Sequence, residues 1–218
     1  GRYRGPLRRA VLGFKERGRR DLGPALARLL VPVVAEVLPV HTDGPVWLVG
    51  APSRRSAARA RGGDHVARLG RELAARLRAA GLDARAAPVL ALDRRVRDSV
   101  GLDPGQRAAN LDGAVRVARA GLPPPGHPGH VLLVDDVVTT GATLDACREA
   151  LRDNGLSVHA TVVLCDATGR RSPYRTFPGR PQPARPGPRR RSPCADGARP
   201  HFRPGEALGG LSSGRIPR

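Results

Sequence analysis

The chain has 218 residues and a formal net charge of +19 at pH 7, long enough for one α/β domain with a substantial core or for a smaller domain with an appended tail. The positive balance suits an anionic ligand, either a phosphorylated metabolite or nucleic acid. Cys147, Cys165 and Cys194 are widely spaced with no CxxC pair, which argues against a zinc ribbon and a disulfide framework and for a reducing cytoplasm.

Apolar positions at helical spacing predict helices over 6–17 and 21–38, separated by Gly18, with Pro32 expected to kink or split the second. The longest apolar segment, 25–40, contains Arg28, Glu36 and two prolines, so it reads as a core helix and not as a membrane span. No signal peptide is visible, because the first apolar stretch, 10–14, is too short, and the lack of any Met points to a longer product or a processed start. "PVWLVG" (45–50) reads as a strand, followed by an arginine-rich loop and a helix over about 63–80 that stops at Gly81. "APVLAL" (87–92) reads as a second strand, 93–113 as an irregular stretch with a helical turn near 104–110, and "AVRV" (114–117) as a third strand.

"HVLLVDD" (130–136) is the clearest strand; Leu144, Cys147 and Leu151 then mark a helix ending at Gly155, and "SVHATVVLC" (157–165) is the next strand. Both Cys147, on the apolar side of that helix, and Cys165, at the strand end, are expected to be buried. Strands alternating with helices of this length predict an α/β fold with a mostly parallel central sheet flanked by helices. From Gly169 onward 18 of 50 residues are Gly or Pro and 12 are Arg, against only Asp196 and Glu206, so this tail is expected to be disordered and to carry about +10 of the +19 charge. The expected division is an N-terminal helical segment (1–44), an α/β core (45–168) and the tail (169–218).

The stretch "VLLVDDVVTTGAT" (131–143) runs four apolar residues into two carboxylates and then into a loop of threonines and one glycine. Ligands in open α/β sheets sit beyond the carboxyl ends of the strands, which is where Asp135 and Asp136 stand. Adjacent strand residues point to opposite faces, so both acids can serve one ligand only if the strand ends there and the pleat is lost. Thr139, Thr140, Gly141, Ala142 and Thr143 lead into the following helix, whose free N–H groups and hydroxyls form a cradle for a phosphate dianion. The carboxylates must then face hydroxyls, which donate to them in charge-assisted bonds. A phosphate with a vicinal diol close by describes a ribose 5-phosphate. No GxxxxGK[ST] occurs, which excludes a Walker phosphate loop.

Residues 131–143 resemble the phosphoribosyl-pyrophosphate signature of type I phosphoribosyltransferases. "YRGPLRRAVLGFKERGRRDL" (3–22), "RGGDHVARL" (61–69) and "GLDPGQRAANLDGAVRV" (101–117) extend the resemblance to the ComF family, phosphoribosyltransferase-like bacterial proteins tied to DNA uptake in competent cells. The chain departs from that family in lacking an N-terminal cysteine zinc ribbon. It also reads Arg61-Gly62-Gly63-Asp64-His65 where the family has an RGxNQ-like segment, and it has Ser99 and Val100 where a glutamine is usual.

The resemblance implies a phosphoribosyl pyrophosphate donor with Mg²⁺ as cofactor. Asp135 and Asp136 would hold the ribose diol and Thr139–Thr143 the 5-phosphate. The loop Ser53-Arg54-Arg55 would hold the pyrophosphate, with Mg²⁺ carried mainly by substrate oxygens and water. Arg94, Arg95 and Arg97 fall in a stretch that resembles a mobile loop over the site, and Arg107 and Asn110 match the family's R..N spacing. Other partners brought in by the resemblance are single-stranded DNA or the competence machinery, and a second copy as a homodimer. Two other classes compete: a non-catalytic phosphoribosyl-pyrophosphate sensor, and a DNA-binding module, for which six aromatic residues are a poor supply of stacking platforms. Lys15, the single lysine among 38 basic residues, reads first as a solvated surface charge and only second as a functional residue.

Overall fold

The computed structural model describes residues 1–53, 58–59, 62–93, 113–124, 126, 129–168 and 175–176. Helix α1 (Gly5–Glu16) and helix α2 (Gly23–Val37) are joined through a single 3-10 turn, Arg20–Leu22. Neither helix has a side-chain cap, and both are held by an apolar stripe. On α2 that stripe is Leu26, Leu30, Val33 and Val34, none more than 3% exposed, and each such burial is worth about 1.5–3 kcal/mol. Pro32 does not split α2: the ring and the carbonyl of Arg28 that it leaves without a donor both lie on the exposed side, where water can serve that carbonyl.

The main sheet has the order β2-β1-β5-β6-β7 among the described residues, with every pairing parallel. Its strands are β1 (Val46–Gly50), β2 (Ala84–Ala86), β5 (His130–Val138), β6 (Val158–Asp166) and β7 (Arg175–Thr176). Helix α3 (His65–Ala79) connects β1 to β2, and helix α4 (Ala142–Asp153) connects β5 to β6. Strands β3 (Leu90–Leu92) and β4 (Val115–Val117) form a separate antiparallel ribbon.

Of the strand expected over 87–92 only Leu90–Leu92 is one, and it pairs in the ribbon; Ala84–Ala86, just before that stretch, is a strand the sequence did not mark. Ala84–Ala86 pairs with β1, the Ala87 amide still donates to the Leu48 carbonyl, and the chain then leaves the sheet at Pro88, which has no amide to offer. Residues 114–117 pair with β3 and not with the parallel sheet. Arg175–Thr176 forms an edge strand inside the segment expected to be wholly disordered; the rest of 169–218 lies outside the described residues.

Two buried clusters line the two faces of the sheet. One joins Val11 and Phe14 of α1, the α2 stripe and Leu69, Leu73 and Leu77 of α3 to Leu48, Leu132 and Val134. The other joins Leu144, Cys147 and Leu151 of α4 to Val49, Val131, Leu133 and Val163. The fold is therefore α/β, with a mostly parallel central sheet flanked by helices on both faces. Cys147 and Cys165 are both fully buried, as expected. No described helix is long and apolar enough to cross a membrane.

Candidate functional site

β5 lies at the centre of the sheet and outlasts its neighbour on one side. Its pairing with β1 ends at Gly50 opposite Val134, while its pairing with β6 continues to Val138 opposite Asp166. The ladder therefore runs on past the two acids, but the regular alternation does not: Val137 packs with the cluster of Leu132 and Val134, and Val138 with that of Val131 and Leu133, so the pleat is lost just after Asp136, as the sequence suggests. Asp135 continues the face of Val131 and Leu133, toward α4, and Asp136 continues the face of Leu132 and Val134, toward α1 and α3. The two neighbouring acids thus engage different helices, while their side chains remain within hydrogen-bonding reach of one another. Each also accepts from the next amide: Asp136 N donates to Asp135 Oδ1 at 2.8 Å and Val137 N to Asp136 Oδ1 at 2.7 Å.

On the α4 side, Asp135 shares an open hollow with Thr139, Thr140, Gly141 and Thr143, whose lining also includes Val137, Val138 and Leu144. Gly141 stands at the N-cap of α4 with φ 88° and ψ −14°, a left-handed conformation that costs other residues about 1–2 kcal/mol. It has no side chain with which to cap the helix. The first turn of α4 consequently meets the hollow with uncapped amides, apart from a long 3.4 Å contact from Ala142 N to Thr140 Oγ1. Helix N-terminal amides, exposed threonine hydroxyls and a carboxylate at the rim thus share one space. Burial, and then the nearby charge of Asp136, push the pKa of Asp135 well above the ordinary carboxylate value.

On the opposite face Asp136 is 2% exposed and fully engaged. His65 Nε2 lies 2.9 Å from its Oδ2, and Lys15 Nζ lies 3.3 Å from the same oxygen and 3.5 Å from Oδ1. Burial alone would raise its pKa, but the His65 hydrogen bond and the Lys15 ammonium outweigh that and hold it below the ordinary value. Lys15 is shifted upward: burial works against its charge, and Asp136 more than offsets this. The other His65 nitrogen, Nδ1, lies 3.4 Å from Ser53 Oγ. Ser53 N and Oγ reach the Asp64 carboxylate at 3.0 and 3.3 Å, and Asp64 in turn caps α3 through the amides of Val66 and Ala67. Gly50 lets this helix start approach β1 closely, since a Cβ there would stand 3.3 Å from Val66 Cγ1. Phe14 of α1 packs edge-on to the His65 ring.

The structure thus brings Asp135 together with Thr139, Thr140, Gly141 and Thr143, with Ala142 beginning the helix beside them. It sets Asp136 and Ser53 in a second network behind the strand. Arg54, Arg55 and Arg107 lie outside the described residues, as do Arg94, Arg95, Arg97 and Asn110. His65 was visible in the sequence only as a departure from a motif; its role depends on α3 starting directly under the end of β5. Among the described residues no group of three His, Cys, Asp or Glu side chains could hold a metal ion. The hollow does offer a carboxylate and hydroxyls, the hard oxygen donors that suit a Mg²⁺ carried largely by ligand oxygens and water.

Residues 121–178, which contain β5, the hollow, α4 and β6, match the phosphoribosyl transferase domain family. Over this stretch the chain is similar to the phosphoribosyltransferase fold. Among solved structures, the orotate phosphoribosyltransferase from Aeropyrum pernix is 23% identical, with 65% of this chain and 56% of that one covered and a TM-score of 0.33. The adenine phosphoribosyltransferase from Saccharomyces cerevisiae is 15% identical over 67% of this chain and 69% of that one, with a TM-score of 0.38. The hypoxanthine phosphoribosyltransferase from Trypanosoma cruzi is 22% identical over 73% and 74%, with a TM-score of 0.34. The chain therefore spans little more than half the length of the orotate enzyme. No curated protein matches the chain by sequence.

Proposed function

We propose that the chain binds phosphoribosyl pyrophosphate with Mg²⁺ and transfers the phosphoribosyl group to an acceptor. The observation that carries this reading is the shared hollow of Asp135 and the uncapped start of α4. A phosphate there meets amides and hydroxyls at a positive helix end, and a diol a few ångströms away meets a carboxylate able to accept from it. In this reading the Thr139–Thr143 loop holds the 5-phosphate and Asp135 a ribose hydroxyl. Asp136, with both oxygens already engaged, supports the site from behind. The loop after β1, Ser53 with Arg54 and Arg55, takes the pyrophosphate end, and Arg107 belongs to the covering stretch.

Departure of pyrophosphate from C1 leaves an oxocarbenium-like ribose that the acceptor captures. The main demand is to stabilise the leaving charge with donors already in place. Mg²⁺ on the substrate's oxygens would supply part of that stabilisation. Asp135 fixes the sugar while C1 changes its bonding, and the α4 amides fix the opposite end, so the ribose ring is held at two points. The reading extends to the competence role of the ComF family, with single-stranded DNA as a further partner.

Calorimetric titration of phosphoribosyl pyrophosphate with Mg²⁺ into the wild type and Asp135→Asn tests the site. A drop in affinity of tenfold or more is expected for the variant, and equal affinity for the two proteins overturns the assignment. Pyrophosphate release across a panel of nucleobases separates a transferase from a sensor that binds the donor without turning it over.

A further inference from the structure

The network behind β5 joins residues that no single motif contains. Lys15 comes from α1, His65 from the first turn of α3, Asp136 from the central strand and Ser53 from the loop after β1. Asp136 is the hub. It is 2% exposed, and its oxygens accept from His65, Lys15 and the Val137 amide. His65 is 6% exposed and spans the gap, with one ring nitrogen at Asp136 and the other at Ser53. Such a ring has two donor or acceptor positions at opposite edges, so fixing one edge on a buried carboxylate fixes what the other can do.

From this geometry we infer that Lys15, Asp136 and His65 form a positioning relay, centred on a buried carboxylate, that holds Ser53 in place for the pyrophosphate half of the donor. The inference rests on the proposed donor site and adds residues that do not line its hollow. None of the three is a catalytic residue in this assignment. Lys15 and His65 neutralise and orient Asp136, and His65 passes that orientation to the Ser53 hydroxyl. The Asp64 carboxylate accepts from both the Ser53 amide and the Ser53 hydroxyl on the other side. The 5-phosphate end, served by α4 on the opposite face, lies outside the relay.

That separation makes the relay testable with two small ligands, ribose 5-phosphate and Mg²⁺-pyrophosphate, titrated separately into the full chain. Wild type should bind both. Ser53→Ala and Lys15→Gln should each weaken Mg²⁺-pyrophosphate at least fivefold while leaving ribose 5-phosphate within twofold, and Lys15→Arg, which keeps a cation near Asp136, should recover most of the loss. His65→Gln can keep one of the two bonds but not both, and should resemble Ser53→Ala. In the Ser53→Ala background, Lys15→Gln should have no further effect on pyrophosphate, because the relay would already be cut at its end. Lys15 is one-third exposed and Ser53 sits in a loop, so these two variants keep the test interpretable should His65→Gln fail to fold. Equal losses for both ligands, no loss for either, or additive losses in the double variant overturn the relay and leave the donor site standing. A wild type that binds neither ligand overturns the donor site itself and the relay with it.

Discussion

Asp135 and Asp136 are identical in chemistry and adjacent in the chain, yet the two faces of β5 turn them into opposite groups. On the α4 face the carboxyl has no cation beside it that offsets its burial and its neighbour's charge, and its pKa rises. On the α1 and α3 face Lys15 and His65 more than offset the burial, and the pKa falls. The lesson is that a paired acidic motif divides its work: one acid left poorly compensated and facing a hollow, the other spent on holding helices to the strand. A ligand hydroxyl or cation arriving at Asp135 relieves an existing electrostatic cost, whereas one arriving at Asp136 would have to displace partners already there.

The comparison breaks most visibly if Asp136 is removed. Asp136→Ala leaves the imidazole and the ammonium without their shared partner and should destabilise the fold by about 3 kcal/mol in a denaturant melt. Asp135→Asn should do the reverse, losing about 1.4 kcal/mol or more of donor binding while leaving the fold as stable or slightly more so, since a neutral isostere removes a charge the site disfavours. A melt in which both acids prove equally destabilising to remove would erase the distinction between the faces. Gly141→Ala, forced into the left-handed region at φ 88°, should cost about 1 kcal/mol of stability and weaken ribose 5-phosphate binding, read by the same melts and titrations.

The smallest effect sharpens the comparison through pH. The folded pKa of Asp135 is raised, so its charge burdens the fold above that pKa, and the burden lifts as pH falls through it. The stability gap between wild type and Asp135→Asn should therefore close on acidification. Asp136, with a depressed pKa, contributes stability in full above about pH 4, the ordinary carboxylate value, and loses it as pH falls toward its folded pKa. Paired urea melts at neutral and acid pH check both signs.

Much of this was legible in the chain. Apolar periodicity marked α1, α2, α3 and α4 to within two or three residues, because each buries a stripe at helical spacing. The apolar run before the acids marked the central strand, and the threonine-glycine loop marked the start of α4. Short edge elements were harder to read. Ala84–Ala86 has an arginine at its centre, and Arg175–Thr176 is only two residues long, so their strand character comes from the neighbour they pair with and not from their own pattern.

By itself, then, the sequence determined the α/β alternation, the place of the acids at the end of a buried strand, and the phosphate-type loop after them, because burial periodicity and helix-start chemistry are local. It could not decide which way each carboxylate points. That depended on β6 carrying the ladder two residues past the acids, and on α1 and α3 bringing a lysine from position 15 and a histidine from position 65 to one oxygen pair. Electrostatic compensation is set by distance in space, and contacts spanning 71 and 121 positions in the chain exist only once the layers have packed.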